Sequence, residues 1–549
     1  MKLPEPYKPK NHIRIVTAAS LFDGHDAAIN IMRRILQASG AEVIHLGHNR
    51  AVQEIVDCAI QEDVQAIALT SYQGGHNEFL KYMYDLLHEQ GRGHIKIFAG
   101  GGGVILPQEI EDLHNYGITR IYSPDDGRSM SLQGMINDLL EKCDFALDDF
   151  HDVTADEILN RNINAIARLI TIAENQPEKA RPVLEELENV KSEKRNSEIA
   201  KSEIAKSEKR KGEIAKIKIP VLGITGTGGA GKSSLVDELV RRYLSDFDDK
   251  TIAIISVDPT KRKTGGALLG DRIRMNAIFN PRVFMRSLAT RQSNLALSRY
   301  VKDATIILQA AGFDLVVIES SGIGQSDTEI VDHSDLSMYV MTPEYGAASQ
   351  LEKIDMLDFA DIVVVNKGDK RGSLDAIRDV KKQYQRNHKL FDKEVDEMPV
   401  YGTVASQFND PGVNQLYKAL IQAITARTGL ESGSRFEGRD EMKDRIYIIP
   451  PSRTRYLSEI ADTVRSYNKW TTEQAEIAQR LYGISQTIEA IRSTPPKERD
   501  KNPGLHSHGC NLMLELDLLF DEQLEKLDTE NYSIIKNWAD KVKSYTEDN

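Results

Sequence analysis

A glycine-rich segment that ends in lysine and serine is the first feature whose residue types point to chemistry. The residues from Gly226 to Ser233 fit the GxxxxGK[ST] motif at every fixed position, after an apolar stretch and before an amphipathic one. Backbone N–H groups of such a loop, with the start of the following helix, bind phosphate oxygens. We predict that Lys232 reaches the β- and γ-phosphates and that Ser233 ligates Mg²⁺. The loop residues expected to contact the nucleotide are Gly228, Gly229, Ala230 and Gly231.

A second motif indicates which base the nucleotide carries. Asn366, Lys367 and Asp369 form an NKxD pattern after the apolar stretch Asp361–Val365. The carboxylate of Asp369 can accept hydrogen bonds from the N1–H and the exocyclic amine of guanine, whereas adenine offers neither donor. Because an unpaired buried polar group is costly, the motif favours GTP over ATP. It also opposes the alternative of a P-loop kinase.

Acidic residues after several strands are predicted to hold the magnesium ion. Glu319 ends an apolar stretch where a GTPase usually carries DxxG, and the N–H of Gly322 is expected to sense the γ-phosphate as part of a switch. Asp258 and Asp271 are further Mg²⁺ candidates, since Mg²⁺ takes few carboxylates plus waters. Arg274 is expected to approach the phosphates. Lys232 and Glu319 are the predicted catalytic residues.

One loop near these acids is expected to be mobile, and the intrinsic rate of GTP hydrolysis is expected to be low. The glycine-rich stretch Thr264–Gly270 is predicted to be a mobile loop. Gln325 does not directly follow Gly322, so the glutamine that positions water in Ras-like enzymes is not in place. We therefore expect slow intrinsic hydrolysis.

A second group of residues marks another ligand site near the N-terminus. Asp23 precedes His25 by two residues, which is typical of a metal-ligating imidazole whose other nitrogen donates to a carboxylate. Thr70–Tyr72 ends a later strand, and Gly100–Gly103 follows the next one. Ligands bind at the carboxyl ends of strands in doubly wound sheets, and consecutive glycines permit a close backbone approach. The pattern predicts a large ligand at this edge.

Two α/β domains are predicted to position these residues. Five strand–helix repeats between residues 12 and 145 indicate a flavodoxin-like, doubly wound parallel sheet. A second α/β region surrounds the GxxxxGKS motif. The predicted domains span 10–145, 146–218 (a helical linker with a charged repeat), 219–430 (the P-loop GTPase domain) and 431–549 (helical).

Two segments outside the α/β domains leave alternatives open. Five-residue units fill residues 192–216 and indicate a semi-rigid charged spacer, with an arm that binds nucleic acid or a partner as the alternative. The C-terminal region is predicted to form helices only, at Arg455–Arg492, Leu512–Asp528 and Asn531–Lys543. Its group of His506, His508 and Cys510 is predicted to be a polar loop, with a metal site as the alternative.

Composition limits the class of protein. The chain has 549 residues, of which 40% are hydrophobic and 28% charged, as in soluble globular proteins. A net charge of −13 argues against broad nonspecific binding to nucleic acids or anionic membranes. Three distant cysteines exclude a disulfide framework. No signal peptide or membrane span is evident, so we expect a cytoplasmic protein.

The first domain resembles the cobalamin-binding domain of coenzyme B12-dependent mutases. Asp23 and His25 match its DxHxxG motif, in which Ala28 replaces the glycine, and Thr70 and Tyr72 stand at the Ser and Leu positions of SxL. Gly100 begins its double glycine. The resemblance implies that His25 displaces the dimethylbenzimidazole and ligates cobalt from below. The groove for the nucleotide tail would then be formed by Thr70, Ser71, Gly100, Gly101, Gly102, Gly103, Ser123 and Pro124.

The second domain resembles the GTPase chaperones that load and protect such mutases. Its order behind a B12 domain is that of the fused isobutyryl-CoA mutases, and the resemblance covers roughly residues 12–145 and 219–495. It implies adenosylcobalamin, GTP and Mg²⁺ as cofactors, and isobutyryl-CoA/butyryl-CoA interconversion as the activity. The competing hypothesis is a cobalamin carrier or B12-dependent sensor with a GTPase switch.

The family continues into a substrate-binding (β/α)₈ barrel, for which this sequence shows no strand pattern after Gly429. We therefore expect a separate mutase subunit that alone binds acyl-CoA, or else a truncated mutase, and an oligomeric assembly. Some apolar helix residues are predicted to serve partly in docking this partner, with packing against the GTPase domain as the alternative. They include Leu512, Leu514, Leu516, Leu518, Leu519 and Trp538.

Overall fold

The computed structural model describes residues 4–147, 153–190, 219–291, 297, 300–322, 328–345, 351–428, 433–436, 456–493 and 505–546. The chain divides into two compact units, Met1–Met442 and Lys443–Asn549. The charged repeat at 192–216 and Gln325 lie outside the described residues. No described helix combines the length and the hydrophobicity that crossing a bilayer requires.

The first sheet of the larger unit carries the predicted histidine loop. Its elements alternate as β1 (Arg14–Ser20), α1 (Ala27–Ala38), β2 (Glu42–Arg50), α2 (Val52–Gln61), β3 (Ala66–Thr70), α3 (His76–Glu89), β4 (Lys96–Gly100), α4 (Pro107–Tyr116), β5 (Arg120–Tyr122) and α5 (Pro124–Cys143). All the strand pairs are parallel, in the order β5-β4-β3-β1-β2, and a later strand, β8 (Ala267–Leu269), pairs with the free edge of β2. The first five strands confirm the predicted flavodoxin-like sheet.

The second sheet carries the phosphate loop. Two helices, α6 (Ala155–Leu159) and α7 (Ile163–Asn175), lead toward it in sequence. Its parallel strands stand in the order β13-β12-β11-β6-β10-β7-β9. The strands from here on are β6 (Val221–Gly226), β7 (Ile252–Asp258), β8 (Ala267–Leu269), β9 (Val283–Ala289), β10 (Leu315–Glu319), β11 (Leu336–Met341), β12 (Ile362–Val365) and β13 (Val400–Gly402). The helices are Lys232–Asp246, Val301–Ala310, Glu329–Asp332, Met356–Phe359, Ser373–Asn387 and Pro411–Thr428.

Strand β8 corrects the prediction of a mobile loop at Thr264–Gly270. Residues Ala267–Leu269 pair in parallel with Glu42–Ile44 of β2, although they belong by sequence to the GTPase region. An unpaired edge strand exposes a row of backbone N–H and C=O groups, which a neighbouring strand satisfies. The apolar residues Ala267 and Leu269 are buried in the core of the first sheet. The segment Thr264–Gly270 therefore connects the GTPase region to the first sheet by adding a strand to it.

A buried group of arginines and acids also lies between the sheets, and sequence analysis did not foresee it. The guanidinium of Arg14 donates to Glu42 and Glu62 at 2.8 and 2.6 Å and to the carbonyl oxygen of Ser287 at 2.8 Å. Arg272 pairs with the same Glu62 at 2.7 Å. A buried charge is tolerated only when it is paired and hydrogen-bonded, so these contacts hold one sheet against the other.

The described residues of the smaller unit, 456–493 and 505–546, are almost all helical, as predicted. Its helices are Tyr456–Ser493, Leu505–Lys526, Thr529–Lys536 and Trp538–Thr546. Because helix Leu505–Lys526 includes positions 506–510, the prediction of a loop there was wrong. Of the residues predicted to dock a partner, Leu516 and Leu519 line a gap within the unit. Leu519 is also exposed, as are Leu512, Leu514, Leu518 and Trp538.

Candidate functional site

The phosphate loop connects β6 to helix Lys232–Asp246 and depends on glycine at two positions. Gly226 has a φ of 147°, and a Cβ there would overlap the carbonyl oxygen of Val340. Gly231 has a φ of 92°, and its Cβ would lie 2.5 Å from Nδ2 of Asn366. Left-handed backbone next to a close neighbour requires glycine, so these residues shape the loop as the motif predicts.

Lys232 lies at the centre of this loop. Its ammonium donates to the carbonyl oxygen of Gly226 at 3.0 Å. A Cβ added to Gly322 would collide with the same ammonium, so the glycine predicted to sense the γ-phosphate stands directly beside Lys232. The structure therefore brings together a cation and a backbone N–H at the place where phosphate oxygens are expected.

The hydroxyl of Ser233 lies between two of the predicted magnesium ligands. Its Oγ is 3.0 Å from Oδ1 of Asp271 and 2.8 Å from Oε1 of Glu319. A hydroxyl carries one proton, so it donates to only one of these carboxyl groups at a time. The second oxygen of Glu319, Oε2, is buried and has no hydrogen-bond partner in the described part of the chain. A buried carboxylate oxygen without a hydrogen-bond partner is suited to bind a cation.

The protonation of the acids gives the same indication. Burial, followed by the charge of Asp271, raises the pKa of both Asp258 and Glu319 to about 8. Crowded, buried carboxyl groups hold protons, and a divalent cation would replace those protons. No group of three or more His, Cys, Asp or Glu among the described residues has the geometry of a ready-made metal site. Mg²⁺ would therefore need the Ser233 hydroxyl and phosphate oxygens as well.

Arg274 is also brought to the cluster. Its Nη2 lies 3.3 Å from Oγ of Ser233, and it forms an ion pair with Asp271. About half of the side chain is exposed. Arg274 can therefore turn toward an incoming phosphate without leaving the site.

The NKxD residues support the loop from the other side. The amide of Asn366 donates to the carbonyl oxygen of Ala230 at 2.8 Å, and the ammonium of Lys367 donates to that of Gly229 at 2.7 Å. Asp369 is exposed after β12. The structure thus places Asp369 at an accessible position on the loop that follows β12.

One segment of this site was missed. The Oδ1 atom of Asn366 accepts from the hydroxyl of Thr403 at 3.1 Å and from the N–H of Ala405 at 3.0 Å. These two residues follow the short strand β13, which sequence analysis did not identify. The apolar pair Val400 and Tyr401 before Gly402 is the signal that would have found it.

The histidine loop follows β1 at the carboxyl edge of the first sheet. The imidazole of His25 is 74% exposed, and its Nδ1 lies 2.8 Å from Oδ1 of Asp23. The other oxygen of Asp23 accepts from the N–H of Tyr72 at 2.6 Å. Burial raises the pKa of Asp23, but hydrogen bonds from Tyr72 and His25 outweigh it, so the pKa is lowered. A charged Asp23 thus orients the imidazole and ties its loop to the end of β3.

A cleft of about 290 Å³ opens between β3, β4, α1 and α5 near this loop. Thr70 lines it, and the buried Oγ1 of that threonine has no hydrogen-bond partner in the described part of the chain. Ala28, which replaces the motif glycine, also lines it. The other predicted residues on its wall are Gly100, Gly102, Ser123 and Pro124. An unused hydroxyl on an otherwise apolar wall fits a large ligand with a few polar groups.

Three predicted residues lie beside the cleft. The hydroxyl of Ser71 is buried and accepts from that of Ser20 at 3.0 Å. A Cβ on Gly101 would collide with the carbonyl oxygen of Ser71, and Gly103 has a φ of 101°. These residues shape the turn after β4. Sequence analysis missed the apolar floor of the cleft, whose side chains come from two helices and a strand and include Met32, Leu36, Phe98, Met135 and Leu139.

Comparison with known proteins identifies two domain families in the chain. A family model described as "B12 binding domain" matches residues 13–123, and one described as "Methylmalonyl Co-A mutase-associated GTPase MeaB" matches residues 166–490. These domains take adenosylcobalamin, and GTP with Mg²⁺, as cofactors.

Three curated relatives carry the description "Fused isobutyryl-CoA mutase". The protein from Geobacillus kaustophilus is 54% identical over 545 residues, which are 98% of this chain and 47% of the relative. The protein from Cupriavidus metallidurans is 54% identical over 86% of this chain and 41% of its own length. The protein from Nocardia farcinica is 46% identical over 98% of this chain and 46% of its own length.

The chain thus spans somewhat less than half the length of these relatives. The matches confirm the resemblance stated from the motifs. Since the MeaB match extends over more than half of its residues, the chain belongs to the family of methylmalonyl-CoA mutase-associated GTPases and carries a B12-binding domain ahead of the GTPase domain.

Proposed function

We propose that the chain is the GTP-hydrolysing chaperone and cobalamin-binding part of a coenzyme B12-dependent mutase that interconverts isobutyryl-CoA and butyryl-CoA. Relatives described as fused isobutyryl-CoA mutases support this activity. The observation that carries the proposal is that one compact unit, Met1–Met442, holds both an exposed histidine beside a large apolar cleft and a complete phosphate loop with magnesium-type ligands.

In the GTPase part, the N–H groups from Gly228 to Gly231 bind phosphate oxygens, and Lys232 neutralises the charge that develops during hydrolysis. The Mg²⁺ ligands are Ser233, Asp258, Asp271 and Glu319, directly or through water. Support comes from the bonds of Ser233 to two of these acids and from the orphaned oxygen of Glu319. Arg274 approaches the phosphates. Glu319 is, with Lys232, one of the two proposed catalytic residues.

Selectivity for guanine rests on the NKxD residues. Asn366 and Lys367 hold the phosphate loop through the contacts described above. Asp369 accepts from the two guanine donors, because its carboxylate is accessible at the end of the same loop. ATP would leave that acceptor unpaired.

In the cobalamin part, His25 would ligate the cobalt of the bound cofactor. Asp23 accepts from Nδ1–H of the imidazole, which leaves the Nε2 lone pair available to a metal. The cleft that Thr70, Gly100, Gly102, Ser123 and Pro124 line takes the nucleotide tail, while Ser71, Gly101 and Gly103 shape its entrance. Bound adenosylcobalamin supplies a cobalt–carbon bond whose homolysis starts the rearrangement.

The substrate-binding barrel is supplied by a separate mutase subunit, through which alone acyl-CoA binds. The exposed leucines of helix Leu505–Lys526 and Trp538 support a docking role for the helical unit. The proposal includes a cytoplasmic, oligomeric assembly. It also includes the domain boundaries 10–145, 146–218, 219–430 and 431–549, which place each ligand site within one domain.

The test is an assay of the purified chain. We expect Mg²⁺-dependent hydrolysis of GTP and tight binding of adenosylcobalamin by the chain alone, and interconversion of isobutyryl-CoA and butyryl-CoA only after the separate barrel subunit is added. Mutase activity of the chain alone would contradict the proposal for the barrel. Binding of both ligands with no activity after addition of the subunit would favour a cobalamin carrier.

A further inference from the structure

The end of β2 stands between the two ligand sites and carries the contacts for a further role. Phe22 and Asn49 both have positive φ, at 62° and 58°, and the N–H of Phe22 donates to Oδ1 of Asn49 at 2.8 Å. Phe22 is 85% exposed, so burial of its ring does not explain the conformation. A bulky residue with positive φ is an outlier that its surroundings must enforce.

The Asn49 contact is one of two anchors of the histidine loop. On one side, Asp23 binds the N–H of Tyr72 at the end of β3. On the other side, Asn49 binds the N–H of Phe22, the residue directly before Asp23. The loop that carries His25 is therefore stretched between β2 and β3, and a shift at the end of β2 would move it.

The same end of β2 touches the magnesium side of the GTPase site. Gly47 has a φ of 82°, and a Cβ there would lie 2.9 Å from Cδ1 of Ile273. Pairing between β1 and β2 is also irregular here, since the register shifts around Ala18 and Gly47. Irregular strand ends commonly redirect side chains next to ligand sites. The contact with Ile273 therefore falls where β2 is least constrained by its ladder.

Ile273 lies in a single turn that is built on a magnesium-type ligand. The 3₁₀ turn Asp271–Arg274 begins with the carboxylate that accepts from Ser233 and ends with the arginine that pairs with it. Ser233 and Asp271 are both proposed magnesium ligands, so binding of the ion would replace the hydrogen bond between them. Ile273 lies two residues after Asp271 in the same 3₁₀ turn, so a shift of Asp271 would displace it.

Resting on the proposed function, we propose that Asn49 is a positioning residue for the cobalt-ligating loop, and that Ile273 makes its placement depend on the nucleotide by pressing on Gly47. GTP binding thus changes the affinity for cobalamin through the end of β2. By reciprocity, cobalamin changes the affinity for GTP by the same factor.

The experiment uses the full chain and two readouts other than turnover. The first is the dissociation constant of adenosylcobalamin, measured without nucleotide and with Mg²⁺ and a non-hydrolysable GTP analogue. The second is the nitrogen hyperfine splitting of bound Co(II) cobalamin, which reports the imidazole ligand. Thermal midpoints identify any variant that fails to fold.

Asn49→Ala removes the acceptor for Phe22. We expect it to weaken cobalamin binding about tenfold, as loss of a residue behind a metal ligand does, and to reduce the histidine hyperfine signal. Asn49→Asp keeps an acceptor oxygen and tolerates positive φ, so it should retain both. Gln53→Ala, which removes an exposed side chain on the next helix, is the matched control.

Ile273→Ala removes the contact with Gly47. We expect nucleotide-free cobalamin affinity within about twofold of wild type, while the ratio of affinities with and without nucleotide falls to one. Ile31→Ala, a change of the same size at an exposed site on α1, should keep the wild-type ratio. An unchanged spectrum and affinity in Asn49→Ala, or an unchanged ratio in Ile273→Ala, would overturn the inference. So would a ratio of one in the wild type. Failure of the wild type to bind cobalamin at all would instead reject the proposed function.

Discussion

The two ligand sites lie at the same kind of sheet edge but differ in enclosure. Ser233 and Glu319, at the ends of the phosphate loop and of β10, are 6% and 2% exposed and bind each other. His25, after β1, is mostly exposed and is held by one buried aspartate. The comparison teaches that this chain buries the magnesium-type ligands of its nucleotide site and presents its histidine at the surface. One site should fail by losing charge compensation, the other by losing orientation.

The largest effect expected from this comparison is at the enclosed site. Lys232→Ala should lower the rate of GTP hydrolysis about a thousandfold, because Lys232 is the cation that the described part of the chain places beside Gly226 and Gly322, where it would stabilise the developing charge. Phosphate release measures it. Cobalamin affinity should stay unchanged, as should hydrolysis in the exposed-lysine control Lys302→Ala. A normal rate in Lys232→Ala would show that the loop is not catalytic.

Base recognition gives the next largest effect. Asp369→Asn should weaken GTP binding about a hundredfold and favour xanthosine nucleotides, since the amide offers a donor where guanine needs an acceptor. Calorimetry with GTP, ATP and XTP measures the change, with Asp375→Asn as the control on the following helix. Equal wild-type affinities for ATP and GTP would rule out guanine recognition through Asp369.

At the exposed site we expect a smaller effect. Asp23→Asn should weaken cobalamin binding about tenfold, because the imidazole loses the carboxylate that fixes its tautomer. In the wild type, ¹⁵N-labelled histidine should change the hyperfine splitting of bound Co(II). The exposed change Asp112→Asn on α4 serves as control. If labelling leaves the splitting unaltered, another group ligates the cobalt.

The smallest expected effect concerns the stability of the fold, through the buried ion pairs of Asp63. Burial alone would raise the pKa of Asp63, but the guanidinium groups of Arg168 and Arg92 lower it to about 2. A depressed pKa adds stability that is present above the unfolded value near pH 4 and is lost as the pH falls through 2. The shift corresponds to about 2 kcal/mol at neutral pH.

Asp63→Asn should remove this part of the acid dependence. Asparagine accepts the positive φ of 45° at this position, so the backbone need not change. Urea unfolding at pH 5 and pH 3 should show a smaller loss of stability in the variant than in the wild type. Equal losses would mean that Asp63 does not titrate with folding.

Contiguous motifs explain why much of both sites could be predicted. The GxxxxGKS loop and NKxD each follow a buried strand, so pattern and spacing place Lys232 and Asn366 without knowledge of the fold. The same holds for His25 after β1. The start of helix Leu505–Lys526 was wrongly predicted to be a loop, because the glycine and the polar residues there have a low helix propensity.

Long-range pairing explains what the sequence concealed. Arg14 and Ser287, or Glu42 and Arg291, meet only because two sheets pack together, and no local pattern marks them. Strand β8 is only three residues long, and the glycines around it indicate a loop. The apolar floor of the cleft likewise combines residues from elements that are far apart in the chain.

The pairing of β2 with β8 has a consequence for how the protein is made. Ile44 emerges from the ribosome about 220 residues before its partner Leu269, which at about 5–20 residues per second is a wait of about 10 to 45 seconds. During that time the nascent first domain carries an open strand edge, which can recruit a second nascent chain. Translation speed and chaperone access over this interval should therefore govern the yield of folded protein. When the first domain is expressed alone, its exposed strand edge should make it prone to aggregation.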